Sequence, residues 1–214
     1  MDKKKTEIKL FTSFATISSY SDTILEKIFH SAYKKLEKKF GCVYLSYVLE
    51  SEYLNKNIQL ATHQEWSEYY YKKGLASNCH IAKMCREMKP KSCSFTINWN
   101  LILPDDKESR KIHLLRRDFE FDNGVTYATI LFNRYYGNYF ELINIIGNSL
   151  DLNFYKEIYQ NKNYIGLLLQ NFRKKAYLDL SNTLLKIELG NNILPMRTHL
   201  PKAINNTANP IKNL

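Results

Sequence analysis

Between Asp22 and Phe40 the apolar positions Ile24, Leu25, Ile28, Phe29, Ala32, Leu36 and Phe40 recur every three or four residues, the spacing that gathers them on one helix face. Thr23 and Glu26 have capping-box spacing at its start, and Gly41 suits a left-handed stop at its end. The pattern then turns to β. Residues 42–49 (CVYLSYVL) are β-branched and aromatic, 58–61 form a shorter apolar run, and the 52–57 connection predicts a hairpin. Thr62 and Glu65 repeat the capping-box spacing and open a helix through Trp66, Tyr69 and Tyr70 that Gly74 should end. A short helix is expected from Asn78, a good N-cap, to Met88, with Pro90 barring its continuation.

Residues 93–99 (CSFTINW) read as a third strand. Pro104, Asp105, Asp106 and Glu108 precede Arg116 and Arg117, the order that complements a helix dipole, so a helix is predicted over 105–117. Gly124 introduces two β-rich runs, 125–132 and 139–146, joined by a turn at Gly137 and Asn138. Helix returns from Asp151, and within 164–189 a stripe of Ile165, Leu168, Leu169, Phe172, Ala176, Leu180, Leu184 and Ile187 is placed to face the sheet, a partner, or both. Beyond Gly190, Pro195, Pro201 and Pro210 interrupt any helix, and the tail is expected to be loose unless something binds it.

This order of elements predicts an α/β protein of the α+β type: an α-β-α sandwich with a central, mainly antiparallel five-stranded sheet flanked by helices. Such a sheet can enclose a small-molecule cavity. The 214 residues suit one core, and the expected division is an extension over 1–20, a domain over 21–190 and a polar tail over 191–214. No apolar run approaches the roughly 18 residues of a membrane-spanning helix. The start, with Lys3, Lys4 and Lys5 but with Thr12, Ser13 and Thr16 breaking its apolar stretch, reads as cytoplasmic. Cys42, Cys79, Cys85 and Cys93 are irregularly spaced and read as reduced thiols.

A net charge of +10 raises the question of nucleic acid. The basic residues fall in separate clusters, Lys34, Lys35, Lys38 and Lys39 in one and Arg110, Lys111, Arg116 and Arg117 in another. They read as a solvated basic surface, so direct DNA binding is not expected. Trp66 and Tyr70 form an i, i+4 aromatic pair with polar tips that can orient a ligand, although spacing alone favours core packing. Cys79 and His80 are adjacent, and side chains one residue apart on a helix diverge by about 100°, which disfavours a nucleophile–base pair. Zinc ligands normally pair two to four residues apart, whereas five residues separate Cys79 from Cys85 and seven separate Cys85 from Cys93. His63 and His113 read as surface or satisfied histidines. With no phosphate-cradling glycine loop, GxSxG elbow or HExxH helix, no catalytic residue, metal or cofactor is expected.

Trp66, Tyr70, Trp99 and Gly124, the last within RDFEFDNGVTYATI, follow one another in an order and spacing that resembles the ligand-binding domain of LuxR-type quorum-sensing regulators. The resemblance covers roughly residues 21–188. It implies a non-enzymatic domain that binds a small hydrophobic or acyl-type signal. The family's Asp, which accepts a hydrogen bond from the amide of an acyl-homoserine lactone, falls at Cys79, and its Pro at His80; a thiol is a poor carboxylate substitute, so altered ligand specificity is expected. Trp66, Tyr70 and Cys79 are the candidate head-group residues, Trp99 and Phe95 a stacking wall, and Tyr44 and Tyr47 contacts from the sheet. The family's DNA-binding module needs about 60 residues of helix-turn-helix pattern, against 25 after Leu189, so a ligand-binding domain alone is expected. The long last helix then implies a homodimer or a heterodimer with a related regulator. Two other readings stand beside this one: a protein–protein interaction module with no ligand, and a basic nucleic-acid-binding protein.

Overall fold

The computed structural model describes residues 23–51, 56–89, 93–132 and 138–190, with side chains described as far as Asn182. Helix α1 (Thr23–Phe40) buries Leu25, Phe29, Ala32, Leu36 and Phe40 along one face and leaves Ile24 exposed. Gly41, at φ +65°, takes the left-handed conformation that turns the chain into β1 (Cys42–Ser51), which pairs antiparallel with β2 (Lys56–Ala61). Then follow α2 (Gln64–Lys72), a 3-10 turn (Leu75–Ser77), α3 (His80–Met88), β3 (Ser94–Asn98) and a second 3-10 turn (Trp99–Leu101). The chain continues through α4 (Lys107–Asp118), β4 (Asn123–Leu131), β5 (Tyr139–Gly147), α5 (Phe154–Gln160) and α6 (Lys162–Gly190).

Three local expectations are corrected. His63, rather than Thr62, caps α2, its Nδ1 accepting the Trp66 N–H at 3.2 Å; Thr62 instead accepts the Leu45 N–H at 3.0 Å and ties the helix entry to β1. Asn78 closes the first 3-10 turn, and Cys79 is the residue before α3, with no capping side-chain bond. Gly124 lies inside β4 rather than ahead of it. The box at Thr23, Pro90, the turn at Gly137, Leu184, Ile187 and the two terminal segments lie outside what is described.

The five strands run β2-β1-β5-β4-β3, every neighbouring pair antiparallel, as the sequence pattern predicts. Alternation along β1, after an irregularity between Cys42 and Tyr44, sends Leu45, Tyr47 and Leu49 to one face and Tyr44 and Val48 to the other. The first face packs on α1, α5 and α6 through Phe29, Leu36, Ile158, Leu169, Phe172 and Leu180. The α6 stripe from Ile165 to Leu180 is therefore consumed by the protein's own core. The second face packs on α2, α3 and α4 through Trp66, Cys79, Ile81, Cys85 and Ile112. Two cores, one on each side of the sheet, complete an α-β-α sandwich. Among the described residues no helix is long and apolar enough to cross a membrane.

Candidate functional site

On the second face the sheet carries a row of polar side chains where alternation would otherwise supply apolar ones. Ser46, Asn144 and Thr126 stand directly opposite one another on β1, β5 and β4. Asn144 Nδ2 donates to Ser46 Oγ at 2.9 Å, Thr126 Oγ1 donates to Asn144 Oδ1 at 2.7 Å, and Trp99 Nε1 donates to Thr126 Oγ1 at 2.7 Å. At the other end Gln59 Nε2 donates to Ser67 Oγ at 3.0 Å, linking β2 to α2. The Tyr44 hydroxyl lies between Ser46 and Ser67; burial pushes its pKa up to about 12, and those two hydroxyls pull it back only in part. Burying so many polar groups in an apolar layer is tolerable because each finds a partner. Asn144 is also only half-buried, although its neighbours Ile143 and Ile145 on the central strand are fully covered. Solvent-sized space therefore reaches the middle of the sheet on this face.

Trp66 projects from α2 into the same layer and meets Tyr70 with ring centroids 5.6 Å apart, Phe119 at 5.0 Å and Phe121 at 6.0 Å. Phe121 in turn stacks on Tyr44 at 4.8 Å. The Tyr70 hydroxyl points inward, where burial and then the Cys79 thiol beside it hold its pKa well above the ordinary phenol value. Tyr71 is raised likewise, by burial and then by Tyr44 and Cys79. Three phenols and one thiol thus converge beneath α2 and α3. The three phenols, their pKa values all raised, are neutral at physiological pH and offer hydrogen bonds rather than charge. Cys85, buried behind Cys79, is pushed up to about 12 by desolvation, far from the thiolate character a nucleophile needs. Among the described residues no three His, Cys, Asp or Glu side chains converge as metal ligands would.

Trp99 enters from the turn after β3, and its position depends on Gly124: a Cβ there would lie 2.7 Å from Trp99 Cδ2 and Cε3 and 3.1 Å from Ile146. Phe95 stands directly opposite Ala128 on the same face, 6.5 Å from the Phe140 ring. Six of the seven expected site residues, Trp66, Tyr70, Cys79, Trp99, Tyr44 and Phe95, therefore belong to one layer. Tyr47 does not. It stands three residues from Tyr44, an odd interval on a strand, and faces α6, where its hydroxyl donates to Glu141 at 3.1 Å.

Arg116 is the largest departure from expectation. Placed by sequence in an exposed basic cluster, it is 4% exposed, while Arg110, Lys111 and Arg117 do lie outside. Its guanidinium carbon sits 4.9 Å from the Trp99 ring centre, and its Nη2 lies 3.1 Å and 3.2 Å from the two nitrogens of His80. Desolvation, followed by the Arg116 charge, lowers the His80 pKa to about 4, so that imidazole is neutral at pH 7. The helix ends that carry these groups are tied together: Lys83 of α3 pairs with Asp106, the N-cap of α4, and Ser109 Oγ donates to the Asn78 carbonyl at 2.8 Å. Only one signal in the sequence located Arg116, its position four residues after Ile112 on the buried stripe of α4. Ser46, Thr126 and Asn144 gave none, because their alignment is made by strand register. An open groove of about 770 Å³ on the outer side of α2, between Thr62 and Lys72, includes none of the expected site residues.

No family model matches the chain, and no curated protein sequence matches it. Among solved structures it is similar to the N-acylhomoserine lactone-dependent LuxR-family transcription factor CepR2 from Burkholderia cenocepacia, at 13% identity and a TM-score of 0.45, over 72% of this chain and 99% of that one. It is also similar to SdiA from Escherichia coli, at 14% identity and a TM-score of 0.42, over 74% of this chain and 69% of that one. A structure of SdiA in complex with octanoyl-rac-glycerol aligns at 13% identity and a TM-score of 0.41, over 72% of this chain and 66% of that one.

Proposed function

We propose that this chain is a non-enzymatic regulatory domain that binds a small acyl-type signal between the sheet and helices α2, α3 and α4. The observation that carries the reading is the half-buried Asn144 at the centre of the sheet, joined to Ser46, Thr126 and Trp99 and faced by Trp66 and Tyr70. A polar row at the floor of an aromatic layer, reached by solvent-sized space, combines the oriented hydrogen-bonding groups and apolar walls of a small-molecule site. The order of Trp66, Tyr70, Trp99 and Gly124 in the sequence supports the same reading, since the fold brings the three aromatics into one layer and Gly124 against Trp99. With Cys79 rather than a carboxylate beside Tyr70, the head group is not read by a negative charge at that position. Trp66 and Tyr70 supply polar tips, Phe95 and Trp99 a wall, and the face of α6 outside the core, where Leu167 and Leu178 are exposed, the surface through which the domain pairs with itself or with a related regulator.

Native mass spectrometry on freshly purified protein, set against the denatured mass, tests this reading. The expected result is a discrete adduct of a few hundred daltons that Trp66→Ala removes. A protein that stays empty, and that gains no thermal stability from acyl compounds of any head group or chain length, overturns it.

A further inference from the structure

Arg116 is buried, permanently charged, and has no carboxylate partner among the described residues. Its Nε–H, shielded from solvent, has no hydrogen-bond acceptor among the described residues. Nη2 lies within hydrogen-bond distance of the ring nitrogens of His80, at 3.1 Å and 3.2 Å. Trp99 covers the guanidinium from its own side. An uncharged imidazole and an indole face thus hold the cation in place but do not neutralise it. The charged groups around it do not fill the gap. His113 and Arg117 of α4 and Lys83 of α3 add positive or neutral groups, Asp105 acts on His80, and Asp122 acts on His113. Neither aspartate forms an ion pair with Arg116. A buried cation left in this state is costly, and the contact with the indole offsets only part of the cost.

We propose that Arg116 receives the anionic head group of the signal, so that the domain's ligand is an amphiphilic carboxylate, such as a fatty acid or an N-acyl amino acid, rather than a neutral ester or lactone. This inference rests on the proposed acyl-binding function and names the charge class of its ligand. A guanidinium edge of Nε–H with an adjacent Nη–H matches the two oxygens of a carboxylate, and Nε–H is the donor still unpaired. The Tyr70 phenol feels the Arg116 charge and the Cys79 thiol lies beside that phenol, so neutral donors flank the place where the anion would sit. The apolar chain then runs along Trp66 and Phe95. With Cys79 where an acid would repel a carboxylate, Arg116 is the charge that meets the head group.

Fluorescence titration of the full chain at neutral pH with decanoate, 1-decanol and methyl decanoate tests the inference. Decanoate is expected to bind at least tenfold more tightly than either neutral compound. Arg116→Met should bring decanoate down to the level that decanol shows on the same variant, and Arg116→Lys, a point charge without the fork, should fall between. Equal binding of acid, alcohol and ester, or an Arg116→Met variant that keeps the preference for the acid, overturns the inference while the acyl site stands. Failure of all three compounds, across shorter and longer chains as well, removes the acyl site and the inference together. Should Arg116→Met not fold, the acid-against-alcohol comparison on the unaltered protein decides.

Discussion

Each face of the sheet holds an arginine, and the two are treated differently. On the α1–α6 side Arg173 meets Glu141 through two nitrogens, Nε at 2.8 Å from Oε1 and Nη2 against Oε2, and Tyr47 adds a third bond to the same carboxylate. Every charge there is answered from within the chain. On the α2–α4 side Arg116 is more deeply buried and is held by the indole face of Trp99 and the ring nitrogens of a neutral His80. The layer completed internally serves as scaffold; the layer whose arginine meets no carboxylate among the described residues is the one in which the signal is proposed to bind. Polar groups in both are ordered, so burial by itself does not separate the two roles. Charge balance does.

The strongest way to break this contrast is to remove each arginine in turn and measure urea unfolding. Arg173→Met leaves Glu141, 2% exposed, without its counter-ion and should cost about 3–5 kcal/mol. Arg116→Met removes a cation that nothing balances, and the ligand-free protein should lose little or gain stability. Equal losses from both would end the distinction.

Acid sharpens the same contrast. The His80 pKa falls from an ordinary 6.5 to about 4 in the fold. Between those values the unfolded chain takes up a proton that the folded chain refuses. The stability is fully present above pH 6.5 and is lost as the pH drops toward 4, by on the order of 3 kcal/mol. Unfolding followed across pH 7 to 4 should show this slope, and His80→Asn should flatten it.

Gly124→Ala probes the seat of Trp99. Its Cβ would overlap the indole, and a loss of about 1–3 kcal/mol is expected, as for other overpacked sites. A shift in Trp99 emission should accompany it, since the ring must move away from Thr126 or from Arg116. No change in either would mean that the close approach is easily relieved.

How much of this was legible in the sequence depends on how far each feature reaches along the chain. Helices announced themselves by local periodicity, and Trp66 with Tyr70 shared a face because four residues make nearly one turn. The antiparallel sheet followed from strands joined by short links. Tyr47 was assigned to the wrong layer although its interval of three from Tyr44 already implied opposite faces; aromatic character outweighed parity. Arg116 was grouped with Arg110, Lys111 and Arg117 because charge is usually solvated, and only its spacing from Ile112 argued otherwise. Cys79 came to lie beside Tyr70 through the 3-10 turn at Leu75–Ser77, which no periodicity encodes. The row of Ser46, Asn144 and Thr126 is assembled from positions about a hundred residues apart and is invisible until the strands are aligned.

That row has a consequence for how the chain finds its fold. The side-chain period of a strand is two, so a slip of β5 by a single residue would turn Asn144 into the layer of Phe172 and Leu169, where no polar partner awaits it, and would strip Ser46 and Thr126 of theirs. Apolar strands such as these tolerate sliding, since one isoleucine replaces another at little cost. Three short polar side chains make each misaligned pairing expensive. The row that floors the binding layer is in this sense also the vernier by which five strands set their alignment.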